Sequence, residues 1–270
     1  MRILVTGSSD GIGLATAREL LRREHAVVLH GRPGEKLDSA ARRLASESAP
    51  DRVDTVAADL ASLRDVARMA DEVTRRFPDL QVLILNAGVM KRRRLESRDG
   101  YELTFAVNHL APMLLAQRLV PVLRRNAPAR IVVVSSMVHG SGRIDFDDLQ
   151  RRTGYDGMAA YSASKLANVY MTRILAKELD PEDVTVNALH PGVINTKLLH
   201  EYFGGGAPAD QGAATSVFLA TSPEAASMTG AYVANGRRSR SAAADSPDHE
   251  PIARRLWEES QALIDAALGV

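Results

Sequence analysis

No cysteine occurs anywhere in the 270 residues. That excludes disulfide bridges, a thiol nucleophile and a thiolate metal site, and it leaves the redox compartment unread. Excess charge is lacking too: 34 basic against 33 acidic side chains leave a net charge of +1, so no bulk field draws the chain to nucleic acid or an anionic membrane. No run of about 18 apolar residues occurs, so no transmembrane helix is expected. Met1-Arg2-Ile3-Leu4-Val5 runs directly into a strand signal with no charged leader before it, and the expectation is a cytoplasmic protein with small-molecule partners. No internal repeat and no dividing linker is present. What is there is 45% hydrophobic content, ample for one buried core over residues 1–270.

Short apolar runs alternate with amphipathic stretches. Ile3-Leu4-Val5, His25 to His30, Val53 to Ala57, Val82 to Leu85, Ile131 to Val134 and Val184 to Leu189 read as strands. Helical patterns separate them at Leu14–Leu21, Glu35–Ser48, Leu63–Phe77, Tyr101–Leu123 and around 161–179. This alternation implies right-handed crossovers and one doubly wound α/β (Rossmann) sheet of about seven parallel strands with helices on both faces. Gln211–Thr221 adds a helix, Gly230–Ala234 an edge strand, and Pro251–Leu268 a final helix. Arg237–Ser246 reads as a loose polar loop. The irregular stretch 137–157 is an insertion, and 198–210, with Tyr202-Phe203 and three glycines, has the composition of a lid.

Ligands bind beyond the carboxyl ends of the strands in such a sheet, and the informative residues fall there. Thr6-Gly7-Ser8-Ser9-Asp10-Gly11-Ile12-Gly13 joins the first strand to its helix, and glycines let backbone N–H groups at a helix N-terminus approach a phosphate. The spacing differs from the usual G-x-G-x-x-G, and an ordinary glycine-rich turn is the plainer alternative. After the second strand, Gly31-Arg32-Pro33 offers a cation and no acid, which suits the 2′-phosphate of NADP(H) better than NAD(H) unless Arg32 is a solvated loop residue. Asp10 would oppose that phosphate if it points inward. Asp59, with Leu60, either contacts an adenine or caps the following helix. Asn86-Ala87-Gly88 ends the fourth strand, Ser135-Ser136 the fifth, and Pro191-Gly192-Val193 precedes Thr196 after the sixth. Asn108 lies on an apolar helix, where it is structural or holds a water. Lys91-Arg92-Arg93-Arg94 reads as a solvated loop.

Tyr161-Ser162-Ala163-Ser164-Lys165 puts a phenol and an ammonium at i and i+4 of a helix, about 5–6 Å apart at Cβ. A cation that close is expected to lower the phenol pKa, so that the group gives or takes a proton near neutrality.

Taken together, T-G-x-x-x-G-I-G at 6–13, N-A-G at 86–88, Asn108, Ser136, Y-x-x-x-K at 161–165 and P-G before Thr196 resemble the short-chain dehydrogenase/reductase family over essentially the whole chain. V-N-H-L-A-P around Asn108, S-S-M-V-H-G at 135–140, S-K-L-A-N at 164–168 and H-P-G-V at 190–193 are most similar to the retinol dehydrogenase and WW-domain oxidoreductase branch. The resemblance implies an oxidoreductase moving hydride between NADP(H) and a carbonyl or alcohol carbon. Tyr161 would be the acid or base. Lys165 would tune it and hold the nicotinamide ribose, Ser136 rather than Ser135 would bind the substrate oxygen, and Asn108 would hold a water. Gly7, Ser9, Asp10, Gly11, Ile12, Gly13, Arg32, Asp59, Leu60, Asn86, Ala87, Gly88, Pro191, Gly192, Val193 and Thr196 would surround the cofactor, with no metal. Membrane-bound members carry an apolar N-terminal anchor, which is not expected here. Pairing into homodimers or homotetramers through the helices of Asn108 and Tyr161 is a family habit that the insertion before Tyr161 could change. The ligand expected is a fairly apolar carbonyl or alcohol; the alternative is an idle NADP-binding regulatory or interaction protein.

Overall fold

The structure, a computed structural model, describes residues 1–195, 205–241 and 249–270. The first half alternates regularly: β1 (Arg2–Val5), α1 (Gly11–Arg22), β2 (Ala26–Gly31), α2 (Glu35–Glu47), β3 (Val53–Ala57), α3 (Leu63–Arg76) and β4 (Leu80–Leu85). There follow α4 (Leu103–Phe105), a π-helical turn (Ala106–Leu110), α5 (Ala111–Arg125), β5 (Ala129–Val134), α6 (Gly157–Glu178) and β6 (Val184–His190). The chain closes with α7 (Ala209–Thr221), β7 (Tyr232–Ala234), β8 (Arg237–Ser239) and α8 (His249–Leu268).

The strand order is β3-β2-β1-β4-β5-β6-β7-β8. The first seven strands are parallel, as the alternation predicts. The eighth corrects the loose-loop reading at Arg237–Ser239 and the reading of β7 as an edge; residues 242–246 of that stretch lie outside the described residues. Arg237–Ser239 folds back antiparallel on β7 through Asn235-Gly236, whose φ values of 52° and 68° are those of a tight hairpin turn.

Strand side chains alternate between two apolar layers. Leu4, Val28, Leu83, Ile131 and Val186 face α3, α5, α6 and α8. Ile3, Val5, Leu29, Ile84 and Val132 face α1, α2 and α7. Burial on both faces is why these strands are continuous apolar runs rather than alternating ones.

The expected helix over 101–123 begins later and is not uniform. The Glu102 carboxylate accepts from the N–H groups of Thr104 (2.9 Å) and Phe105 (2.6 Å) and so starts the helix. The inserted stretch docks on this corner: Gln150 Oε1 accepts from the Glu102 N–H (2.8 Å), and Tyr155 donates its hydroxyl to the Glu102 carboxylate (3.1 Å). Helix α8 lies over the π-helical turn through His109 Nε2 and Ser260 Oγ (3.0 Å), and over α5 through a hydrogen bond from Gln117 Nε2 to Gln261 Oε1 of 2.7 Å.

Glycine is demanded where β1 and β4 part. Gly7 has φ +65°, and a Cβ on Gly13 would lie 2.3 Å from the Gly7 carbonyl oxygen and 2.5 Å from Asn86 Nδ2. Gly13→Ala therefore has to push backbone apart, and a loss of about 1–3 kcal/mol in stability is expected from urea unfolding. Unfolding also reports the buried histidine under α8. Burial lowers the His109 pKa from 6.5 to about 4, with Asn168 opposing. Between those values the unfolded chain binds more protons, so stability is complete above pH 6.5 and falls as pH drops toward 4. Urea midpoints across this range are expected to flatten in His109→Gln.

Candidate active site

The carboxyl ends of the parallel strands surround a cleft of about 1130 Å³. Its floor is the β1–α1 turn. Asp10 caps α1, accepting from the Gly11 N–H (2.8 Å), and its other oxygen pairs with Lys36 at 2.8 Å. The carboxylate is thus committed to a helix cap and a cation. Beyond it, the N–H groups of Ile12 and Gly13 lie in the first turn of α1, where no intrahelical acceptor exists. Gly7, Ser9, Gly11, Ile12 and Gly13 all border the cleft. Asn86 braces this turn from β4, donating through Nδ2 to the carbonyl oxygens of Thr6 (2.8 Å) and Gly7 (3.3 Å).

At one end stand Arg32, exposed and without an ion pair among the described residues, and Lys36. Asp59 and Leu60 form the neighbouring wall. Asp59 is not the cap of α3: Ser62 accepts from the Asp65 N–H, while Asp59 takes the Ala61 N–H (3.1 Å) and faces Arg98 at 3.4 Å. His30 lies near the end of β2, beneath the turn. Its Nδ1 accepts from the Gly7 N–H (3.1 Å), and burial lowers its pKa to about 4, against the Ala58 backbone and Asp59.

At the other end α6 brings Tyr161 and Lys165 to the rim, with the Lys165 Nζ 5.5 Å from the centre of the Tyr161 ring. Lys165 is buried and donates to the Val134 carbonyl (3.0 Å). The two adjacent serines divide. Ser135 is buried with its hydroxyl on the Lys165 carbonyl (2.8 Å), whereas Ser136 lines the cleft and its hydroxyl faces the Tyr161 phenol closely enough to favour the phenolate. The expected lowering of the phenol pKa is not what this geometry gives. Burial pushes Tyr161 up to about 12, the neighbouring Ser136 hydroxyl opposing, and burial brings Lys165 down to about 8. Desolvation penalises both charged forms and outweighs the pair's attraction.

Asn108 stands behind the rim rather than in the cleft lining. Its amide spans the Val89 backbone, accepting from N–H (2.7 Å) and donating to the carbonyl (2.9 Å), and also meets Ser164 Oγ (3.0 Å). Gly88 lies between, where a Cβ would sit 3.3 Å from Lys165 Nζ and 3.4 Å from Asn108 Oδ1. Ala87, Gly88, Pro191, Gly192 and Val193 line the cleft as expected. Thr196, and the lid over 198–204, lie outside the described residues. The flanks of that segment meet where Asn195 N–H donates to the Ala207 carbonyl (2.8 Å).

Some lining residues escaped the sequence reading. Lys36, in the first turn of α2, is one of them. Met90, Leu103, Val107 and Met158 make the rim around Tyr161 apolar, and only the fold brings them together. Met137 and Val193, at 60% and 54% exposure, flank the same opening. Among the described residues no helix is long and apolar enough to cross a membrane.

A family model described as short chain dehydrogenase matches residues 1–204. The chain is 38% identical to human retinol dehydrogenase 13 over 279 residues, covering 97% of this chain and 84% of that protein. To the WW domain-containing oxidoreductase of Gallus gallus it is 35% identical over 286 residues, 99% of this chain and 69% of that protein. A short chain dehydrogenase from Burkholderia cenocepacia J2315, solved in complex with NADP, superposes with a TM-score of 0.68 at 27% identity over 86% of this chain and 95% of that one. The chain belongs to the short-chain dehydrogenase/reductase family of oxidoreductases, in the branch that holds retinol dehydrogenases and the WW-domain oxidoreductases.

Proposed function

We propose that the protein is an NADP(H)-dependent oxidoreductase interconverting an apolar aldehyde or ketone and its alcohol, with Tyr161 as the proton-transferring group. The observation that carries this reading is the Tyr161 phenol standing beside Ser136 and Lys165, on the rim of the cleft whose floor is the glycine turn.

The residues fit a dinucleotide. The unsatisfied N–H groups of Ile12 and Gly13 suit a pyrophosphate at the positive end of α1. Arg32 and Lys36 supply two cations for a 2′-phosphate, and the Asp10 carboxylate nearby already caps α1 and pairs with Lys36. Asp59 and Leu60 would hold the adenine, Lys165 the nicotinamide ribose, and Pro191, Gly192, Val193 and Thr196 the nicotinamide end. Bound there, the nicotinamide gives or takes a hydride.

The side chains do the rest. Ser136 Oγ donates to the substrate oxygen and stabilises the negative charge that grows on it. Tyr161 Oη, protonated at neutral pH, delivers the proton to that oxygen. Lys165 as ammonium favours the phenolate that remains. Asn108 fixes the Val89 backbone and so the wall behind Lys165. Met90, Leu103, Val107 and Met158 favour an apolar substrate, and the relatives named for retinol make retinal a reasoned member of a carbonyl panel with decanal.

Tyr161→Phe is expected to lower NADPH-dependent reduction across that panel by about 10²–10⁴-fold while NADPH still binds; unchanged turnover sinks the assignment. Fluorescence titration is expected to show NADPH bound about 10-fold or more tightly than NADH, with the preference lost in the Arg32→Ala/Lys36→Ala double variant. Equal affinities, or tighter NADH, would refute the role of the two cations.

A further inference from the structure

The peptide bond that follows Ser136 is held on both edges by imidazole rings. On one edge the Ser136 carbonyl accepts from His139 Nδ1 at 2.6 Å, in addition to the His139 backbone N–H at 3.1 Å. On the other, the Met137 N–H donates to His190 Nδ1 at 3.3 Å. His139 lies on the helical turn Met137–Ser141 just beyond β5, and His190 is the last residue of β6. Two neighbouring strand ends therefore grip one peptide plane.

Each bond fixes a tautomer. A carbonyl only accepts, so His139 carries its proton on Nδ1, and its Nε2 is left to accept from Ser241 Oγ at 2.7 Å. An N–H only donates, so His190 Nδ1 is unprotonated and the neutral ring carries its proton on Nε2. Burial, and the nearby His139, keep the His190 pKa below its ordinary value. His139 and Ser241 are 4% and 1% exposed, and the His139 ring lies 4.4 Å from that of Tyr232 on β7. The brace thus runs from the serine to the β7–β8 hairpin, the part of the chain whose composition resembles a loose loop. Local capping alone holds the serine weakly, because the Val138 N–H reaches Ser136 Oγ at 3.4 Å.

We propose that His139 and His190 are positioning residues that clamp the Ser136–Met137 peptide from opposite edges and thereby aim the Ser136 hydroxyl at the substrate oxygen beside Tyr161. The clamp rests on the reading of Ser136 as the oxygen-binding group. It acts on direction rather than on charge: rotation of this peptide plane swings Cβ and Oγ of Ser136, and misplacement of a reacting group by about 1 Å costs on the order of 10²-fold in rate.

The first test reads the bonds on the whole protein without substrate. Long-range ¹H–¹⁵N correlation of ¹⁵N-histidine protein, assigned with the single variants, is expected to show His139 as the Nδ1–H tautomer and His190 as Nε2–H. The reverse tautomer at either ring overturns the clamp. The second test uses decanal and NADPH. His190→Ala and His139→Ala are each expected to lower kcat by about 10- to 100-fold with KM for NADPH unchanged. Asn at either position, which offers an amide atom where Nδ1 stood, is expected to recover kcat to within about threefold of the parent. Alanine variants that keep kcat within about twofold, or asparagine variants no better than alanine, overturn the proposal. Ser136→Ala separates the two levels. If it abolishes turnover while the histidine variants do not, the clamp alone fails; if it turns over decanal like the parent, the role of Ser136 fails first. Should the parent not reduce decanal, the tautomers still decide.

Discussion

The side-chain amide of Asn86 is the contact on which the cleft depends. It reaches from the end of β4 to the carbonyl oxygens of Thr6 and Gly7 at the end of β1. These two strands are neighbours at the centre of the sheet, and chain connectivity leaves that point in opposite directions, toward β3 on one side and toward β8 on the other. Helices that would otherwise close over the strand ends diverge there, so a crevice must open. Asn86 keeps the glycine turn against β4 while leaving the first N–H groups of α1 facing outward. Gly13 permits this closeness, since any side chain at that position would occupy the space of the Gly7 carbonyl and of Asn86 itself.

Around that point the two ends of the cleft follow different physics. The end near Arg32 and Lys36 is solvated and cationic, and its charges act across water on an exposed ligand group. The end near Tyr161 is lined by apolar side chains. There burial raises the phenol and lowers the ammonium, so both groups lean toward their neutral forms, opposite to what an isolated Tyr–Lys pair on an exposed helix would show. Short helical spacing brings the pair together, but the apolar wall around it sets the protonation state.

Much of this was legible beforehand. Continuous apolar strands, the glycine turn and Tyr161-x-x-x-Lys165 are local patterns, and each is fixed by neighbours within a few residues. What was not legible is instructive. Asn235-Gly236 is a strong hairpin signal, yet the polar residues around it hid β8, whose side chains are largely exposed because it is an edge strand. The π-helical turn at Ala106–Leu110 has no marker in composition, and it sets Asn108 toward Val89 and His109 toward Ser260 on α8, 151 residues away. Lys36 was overlooked because its partner, Asp10, lies in a different βα unit.

By itself the sequence determined the class of the fold, the order of its strands and helices, and the residue types at each strand end, since hydrophobic period and turn chemistry are read from adjacent residues. Only the tertiary structure put the Ser135 hydroxyl on the Lys165 carbonyl, turned Asp10 toward Lys36, and joined Ser136 to His139, His190 and Ser241. Those outcomes depend on which side chains meet across strands and across more than a hundred residues of chain. They depend as well on how much water their meeting leaves behind, a quantity that packing sets and local pattern does not record.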